Sequence, residues 1–217
     1  MQTQRFNATR EVALDYWLSV PDALKDSAEP VPLVIFLHGA GERGGLDKAS
    51  IHGVARRVRE GEQFPFMTLV PSCPAHDWWF THIPTLNALL DQILADYPVD
   101  PRRVYLTGLS MGGSGTWHWA MHNPERFAAI APVCGFGVDL LYPDGGIDNL
   151  KDTPVWTFHG ALDDVVGLHE TAQLVDALKM AGGQVRFTVY PDLKHNSWDA
   201  AYGTPELYDW LLGHARP

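Results

Sequence analysis

The sequence is poor in cysteine, in basic residues and in long apolar runs. It has only two cysteines, Cys73 and Cys134, and neither has partners at metal-ligand spacing, which argues against a disulfide framework or a zinc-binding module. We predict two buried free thiols, with a single disulfide as the alternative. No apolar run approaches the roughly 18–20 residues that cross a bilayer, so the sequence predicts no membrane span.

Acidic residues outnumber basic ones, 26 to 16, and the formal net charge is −10. Binding nucleic acid through a broad phosphate-contacting surface needs clustered positive charge, so this balance argues against a nucleic-acid partner. The first residues, Met1 to Arg5, are not followed by the apolar segment of a secretory signal. We therefore expect a cytoplasmic protein, while export with a removed leader stays open. The oligomeric state is also left open.

The composition is that of a globular protein, with 217 residues of which 46% are hydrophobic and 19% charged. This length predicts a single domain over residues 1–217. β-forming segments alternate with helical patterns along the chain. The predicted strands are Val12–Val20, Pro32–Leu37, Phe66–Val70, Val104–Thr107, Phe127–Val133, Val155–Phe158 and Val185–Tyr190. The predicted helices are Ile83–Tyr97, Met111–His122, Leu168–Met180 and Pro205–Leu212.

Such alternation predicts an α/β protein with a mostly parallel central sheet and helices on both of its faces. Ligand sites in these sheets lie beyond the carboxyl ends of the strands. The loops that follow the strands are therefore where catalytic side chains are expected.

The loop after Val104–Thr107 reads Gly108-Leu109-Ser110-Met111-Gly112. This Gly-x-Ser-x-Gly pattern between a strand and a helix is typical of a tight turn that lifts a serine hydroxyl above the sheet, at a helix N-terminus. Its glycines leave room where a Cβ would clash. The pattern predicts Ser110 as a nucleophile, and an ordinary glycine-rich turn with a surface serine is the alternative.

A serine hydroxyl needs a base, and the base needs an acid that orients it. His195 is the histidine between the last predicted strand and the last helix, and it can reach back to Ser110. Asp163, in the loop after Val155–Phe158, is our first choice for the acid. The neighbouring Asp164 is the second and Asp192 the third.

A tetrahedral intermediate also needs two backbone N–H donors for its oxyanion. One is expected from Met111, directly after the serine. The other is expected from Ala40, in the loop after Pro32–Leu37, with Gly41 as the alternative. His38 and His159 each precede a glycine at a strand end, and we interpret them as hydrogen-bonding residues that fix loop geometry.

The walls of the pocket are less well determined. Trp79, beyond the strand Phe66–Val70, and Trp198, three residues after His195, are candidate substrate-binding residues. The segment Gly135–Thr153 is short and contains Phe136, Leu140, Leu141 and Tyr142, which suffice for one wall but not for a cap domain. We therefore expect an open site with no large lid.

These motifs together resemble the α/β-hydrolase superfamily over roughly Pro32 to Leu212. They are His-Gly-Ala-Gly-Glu-Arg-Gly, Gly-Leu-Ser-Met-Gly-Gly, His-Gly-Ala-Leu-Asp-Asp-Val-Val and Lys-His-Asn-Ser-Trp. More narrowly, they are similar to its small carboxylesterases: the dienelactone-hydrolase-like, phospholipase/carboxylesterase and feruloyl/polyhydroxybutyrate esterase groups. The resemblance implies an α/β-hydrolase fold. In this group the acid is the first Asp after His-Gly-x-x, which matches Asp163.

The function implied is a serine carboxylesterase acting on small-molecule esters, short-chain or aryl, through an acyl-enzyme on Ser110. This chemistry needs neither a metal nor an organic cofactor. The alternatives are an acyl-thioesterase or lysophospholipase, a small serine peptidase, and a non-catalytic binding protein with a hydrolase fold. Since candidates for all three triad positions are present, the last of these is the least expected.

Overall fold

The computed structural model describes residues 13–24, 29–137 and 146–217. In these residues seven strands form one sheet, in the order β1-β3-β2-β4-β5-β6-β7. The strands are β1 (Tyr16–Ser19), β2 (Val31–Leu37), β3 (Met67–Pro71), β4 (Val99–Leu109), β5 (Ala129–Val133), β6 (Val155–Gly160) and β7 (Val185–Tyr190). The helices are α1 (Leu46–Ala49), α2 (Gly53–Arg59), α3 (Ile83–Asp96), α4 (Met111–His122), α5 (Leu168–Met180), α6 (Trp198–Tyr202) and α7 (Pro205–Leu212).

The sheet is parallel except for β1, which pairs antiparallel with β3 at one edge. The seven residues of β2 are all buried, as expected for a central strand covered on both faces. Leu33, Ile35 and Leu37 face one core, while Val34 and Phe36 face the other. This period of two follows from the pleat of the strand.

Each face of the sheet is covered by its own set of helices. The first core receives apolar side chains from α3, α4 and α5, including Leu90, Trp117 and Leu174. The second receives side chains from α2, α6 and α7, including Val54 and Leu207. The predicted three-layer α/β architecture is therefore confirmed, and no additional large domain is evident in the described residues.

Four elements agree with the sequence prediction at both ends: α4, α5, β7 and α7. The short helices α1, α2 and α6 were not predicted. β4 is longer than the predicted Val104–Thr107 because its first residue, Val99, pairs with Val31 before the register shifts. β1 is shorter than the predicted Val12–Val20, and Val12 lies outside the described residues.

The connection between β5 and β6 is described over residues 134–137 and 146–154, where it contains the 3₁₀ turn Ile147–Leu150. Of the predicted wall residues, Phe136 is described, whereas Leu140, Leu141 and Tyr142 lie outside the described residues. None of the helices within the described ranges is long and apolar enough to cross a lipid bilayer.

Candidate active site

Ser110 lies in a strained turn between β4 and α4. Its φ of 53° is in the left-handed region, which a residue with a Cβ adopts only at a cost. The Ser110 N–H donates to the Val133 carbonyl of the neighbouring strand at 2.9 Å, which fixes the turn on the sheet. A Cβ at Gly112 would overlap the Leu37 carbonyl, so the first turn of α4 needs glycine to approach β2 this closely.

His195 connects Ser110 to Asp163. Its Nε2 lies 2.9 Å from the Ser110 Oγ, and its Nδ1 lies 2.8 Å from Asp163 Oδ2. The Asp163 side chain is fully buried, and its other oxygen, Oδ1, accepts the backbone N–H groups of Val165 and Val166 at 2.9 Å each. The structure thus brings together the three side chains that the sequence selected from three separate loops. The arrangement can move a proton from the hydroxyl to the imidazole.

The two other candidate acids point elsewhere. The Asp164 side chain is 60% exposed and pairs with the Lys194 Nζ at 2.9 Å. That hydrogen bond lowers the pKa of Asp164. Asp192 is exposed on the surface. Of the three candidates, only Asp163 bonds the ring of His195 in the residues that the structure describes.

Ala40 and Met111 are each the first residue of a helical segment, the 3₁₀ turn Ala40–Glu42 and α4. Amides at such positions have no acceptor within their own helix. The two segments lie against each other, since a Cβ at Gly39 would come within 2.9 Å of the Leu109 side chain. The Arg43 Nε donates to the Ala40 carbonyl at 2.9 Å and holds this loop. The role of the Ala40 and Met111 N–H groups as oxyanion donors stays a prediction.

His38 fixes the loop that carries Ala40, as interpreted from the sequence. It is fully buried, its Nε2 accepts the Cys73 N–H at 3.0 Å, and its Nδ1 lies 2.7 Å from the Gly39 carbonyl. A neutral ring protonated on Nδ1 satisfies both contacts. Burial lowers the pKa of His38 to about 4, in agreement with a neutral ring.

The prediction that Trp79 lines the pocket is wrong. Its side chain is buried in the core, and its indole N–H donates to the His38 carbonyl at 2.9 Å. The 3₁₀ turn Trp79–His82 points Trp79 inward, while its neighbours Trp78 and Phe80 are 38% and 37% exposed. The exposed rings next to the site are therefore Trp78 and Phe80, which sequence reasoning did not select.

Trp78 is held beside the candidate oxyanion loop. The Arg43 guanidinium lies 5.6 Å from the centre of its ring and donates to the backbone carbonyls of Ala40 and Asp77. Trp78 also contacts Phe136 edge to face, with ring centres 6.2 Å apart. We call Trp78, Phe80 and Phe136 the aromatic rim.

Trp198 lies next to the imidazole of His195. The two rings meet edge to face, with centres 5.4 Å apart and an interplanar angle of 89°. Trp198 therefore packs against the candidate base, and its contact with a substrate stays a prediction. Both cysteines are free and buried, as predicted from the sequence.

One group of side chains in the described ranges has the spacing of a metal site. The ligand atoms of Cys134, Asp163 and His195 lie within 4.8 Å of one another. Burial raises the pKa of the Cys134 thiol to about 12. An ion there would also compete with the bond between Asp163 and His195.

A cavity of about 430 Å³ opens at the amino ends of the parallel strands, among residues that include Phe127, Pro154 and His214. It lies before the amino ends of β5 and β6, whereas Ser110 follows the carboxyl end of β4. It is therefore separate from the candidate catalytic residues.

Comparison with known proteins agrees with the fold and the motifs. A phospholipase/carboxylesterase family model matches residues 64–203, more than half of the chain. The crystal structure of a thermostable esterase is 33% identical, with a TM-score of 0.82, over 94% of this chain and 60% of that one. Esterase PE8 is 22% identical, with a TM-score of 0.66, over 88% of this chain and 97% of that one, which supports the fold.

Among curated proteins, a bifunctional acetylxylan esterase/xylanase of Neocallimastix patriciarum is 27% identical over 184 residues. That match covers 82% of this chain but 26% of the enzyme. The chain spans between about a quarter and a half of the length of the first curated relatives that it matches. With the sheet order, the serine turn and the matched model taken together, the chain belongs to the phospholipase/carboxylesterase family of α/β-hydrolases.

Proposed function

We propose that this protein is a serine carboxylesterase in which Ser110 is the nucleophile, His195 the general base and Asp163 the orienting acid. The observation that carries the proposal is the continuous contact from the Ser110 Oγ through both nitrogens of His195 to a buried carboxylate. A hydrogen-bonded serine, histidine and carboxylate in this order is the arrangement that activates a hydroxyl.

In the proposed reaction His195 Nε2 takes the Ser110 proton as the oxygen attacks the ester carbonyl. The oxyanion accepts the N–H groups of Ala40 and Met111. The tetrahedral intermediate collapses, the alcohol leaves with the proton from His195, and an acyl-serine remains. Water, deprotonated by the same nitrogen, then releases the carboxylic acid and restores the serine. Asp163 keeps Nδ1 protonated and stabilises the imidazolium in both halves.

For the substrate we propose short-chain or aryl carboxylic esters. The side chain of His195 is 17% exposed, so the base reaches the surface. The aromatic rim offers flat apolar surface for a ring of the substrate. An acetylxylan esterase among the relatives supports a small acyl group. Thioesters and peptide amides are the competing substrates, and a dipeptidyl peptidase family member of Caenorhabditis elegans is also among the relatives.

The test is a fluorophosphonate that phosphonylates activated serines, followed by peptide mapping and hydrolysis assays. We expect the label on Ser110. In Ser110→Ala, hydrolysis of p-nitrophenyl butyrate should fall by about 10⁴-fold or more. Ser50→Ala is the control, because the Ser50 hydroxyl bonds Leu46, Asp47 and Arg59, none of which belongs to the proposed site. It should keep both the label and the activity.

Normal turnover in Ser110→Ala, or a label on another serine, would refute the proposal. A panel of alkyl esters, aryl esters, thioesters and peptide amides on the same sample then decides the substrate class. Thioesters or amides hydrolysed faster than every ester would replace the carboxylesterase assignment, and inertness towards all four would leave a binding protein.

A further inference from the structure

A second histidine, His159, contacts the buried carboxylate of Asp163. It lies at the end of β6, is completely buried, and belongs to none of the proposed catalytic roles. Its Nε2 is 3.1 Å from Asp163 Oδ2 and 2.9 Å from the Val166 carbonyl. Its Nδ1 is 2.8 Å from the hydroxyl of Thr171, which also lies 2.6 Å from the Gly135 carbonyl.

These contacts determine where His159 carries a proton. Nε2 faces a carboxylate and a carbonyl, both of which only accept hydrogen bonds. The Thr171 hydroxyl donates its hydrogen to the Gly135 carbonyl and therefore accepts from Nδ1, and it can donate to a bare Nδ1 only by giving up that bond. If the ring were protonated only on Nδ1, the lone pair of Nε2 would face the oxygens of Asp163 and Val166, which is repulsive. Nε2 therefore carries a proton whether the ring is neutral or charged. Burial lowers the pKa of His159, and the hydrogen bond to Val166 opposes that effect.

The proton on Nε2 closes a ring of interactions around the acid. Val166 accepts it at its carbonyl and donates its own N–H to Asp163 Oδ1 at 2.9 Å. Asp163 Oδ2 then lies between two imidazoles, His159 on one side and His195 on the other. The end of β6 is also fixed to the loop that carries His195, because the Leu162 N–H donates to the Leu193 carbonyl.

We propose that His159 is a positioning residue that holds the Asp163 carboxylate in the orientation in which Oδ2 bonds His195 Nδ1. The proposal rests on the proposed function, because it acts through the triad. Without Nε2–H, the Val166 carbonyl loses a buried hydrogen bond, and the Asp163 carboxylate loses the positively polarised group that lies 3.1 Å from Oδ2. The carboxylate can then rotate away from His195, and small misplacements of catalytic groups are costly.

The first experiment compares His159→Asn with His159→Gln. The amide of glutamine reaches about as far as Nε2 and keeps an N–H donor towards Asp163, whereas asparagine reaches only as far as Nδ1. We expect kcat for p-nitrophenyl butyrate to fall by about 10- to 100-fold in His159→Asn with an unchanged KM. His159→Gln should recover most of that loss.

Thr171→Val is the matched control, because it removes the hydroxyl that contacts Nδ1 and the Gly135 carbonyl, and it leaves the contact between His159 and Asp163 in place. It should change kcat by less than about threefold. Loss of activity in Thr171→Val equal to that in His159→Asn would mean that packing around the ring matters, and would overturn the proposal.

The second experiment is a double-mutant cycle with Asp163→Asn, which separates positioning from general stability. A residue that acts through Asp163 should cost little further kcat once the carboxylate is gone. If His159→Asn lowers kcat by the same factor with and without the carboxylate, or not at all in either background, the inference is wrong.

A measurement on the unmodified protein covers the case in which His159→Asn does not fold. ¹⁵N chemical shifts of labelled histidine distinguish protonated from bare ring nitrogens. We expect His159 Nε2 to be protonated, and a bare Nε2 would exclude the donor role. The proposed function fails separately: Ser110→Ala and Asp163→Asn would then stay active, whereas failure of this inference alone leaves both of them inactive.

Discussion

The tripeptide His-Gly-Ala occurs twice in this chain, at residues 38–40 and 159–161, each time at the carboxyl end of a parallel strand. Both histidines are completely buried. The first segment leads into the loop of Ala40, a candidate donor to the oxyanion. The second leads into the loop of Asp163, the candidate acid. Identical residues therefore support two opposite electrostatic tasks.

The difference between them lies in what faces each ring. His38 Nε2 faces the Cys73 N–H and must be bare, whereas His159 Nε2 faces an oxygen on either side and must be protonated. The tautomer of each histidine is thus set by residues distant in sequence. In this fold the His-Gly-Ala motif lies at the carboxyl end of a strand, and residues from neighbouring segments determine which nitrogen of its histidine carries the proton.

Of the effects that compare these two segments, the largest is expected at Asp163, in the loop that follows the second segment. Asp163→Asn should lower kcat by about 10³- to 10⁴-fold, because an amide cannot hold the imidazole in the required tautomer. Asp164→Asn is the matched control one residue away, since its carboxylate pairs with Lys194 on the surface. Steady-state hydrolysis of p-nitrophenyl butyrate measures both variants. Activity lost only in Asp164→Asn would show that Asp164 is the acid and would contradict the assignment of Asp163.

The first segment should affect stability instead, through its neutral histidine. Burial lowers the pKa of His38 from 6.5 to about 4, so between these values the unfolded chain binds a proton that the folded protein refuses. Stability should therefore fall as the pH drops from about 7 to 4. Over that range the wild type should lose about 3 kcal/mol more unfolding free energy than His38→Gln.

Urea unfolding of both proteins at several pH values measures this difference. The surface histidine His169, whose side chain is 71% exposed, provides the control substitution His169→Gln, which should parallel the wild type. Parallel curves for the wild type and His38→Gln would show that the buried ring of His38 is not kept neutral, and the contrast between the two segments would lose its basis.

The smallest effect is expected at the aromatic rim beside the first segment. Trp78→Ala should raise KM for an ester with an aromatic acyl group by about three- to tenfold, since a lost ring contact costs about 1 kcal/mol. Its kcat, and both constants for ethyl butyrate, should stay unchanged. Tyr97→Ala, at an exposed aromatic residue after α3, is the control. Equal KM changes for both esters would remove the rim from substrate selection.

Much of the fold could be predicted from the sequence because its signals are local. α4 lies between the serine turn and Pro124, and α5 ends just before Gly182-Gly183, so their bounds follow from nearby residues. The first half of β4 could not be predicted in this way. Asp100 and Pro101 are poor strand formers and lie where the register with β2 shifts. The carbonyls of Pro101 and Arg102 accept hydrogen bonds from Arg216, which is distant in sequence.

The candidate site shows the same division. The sequence could identify Ser110, Asp163 and His195, because each of them follows the carboxyl end of a parallel strand. The sequence could not tell which aromatic side chain of Trp78-Trp79-Phe80 points inward, because a short 3₁₀ turn has no hydrophobic period to read. The contact of His159 with Asp163 was likewise invisible, since it depends on how the turn after β6 folds back on the strand.

The close approach of α4 to β2 has a consequence for how this protein can vary. Position 112 has no space for even one extra carbon, because the backbone of β2 occupies it. Glycine is needed at position 112 because of this lack of space, and not because of its backbone dihedral angles. Every larger side chain would push the turn that carries Ser110 away from the sheet. If all twenty residues are tested at position 112 and active variants are selected, we expect glycine alone. A variant that is active with another residue there would have to hold Ser110 by a different turn.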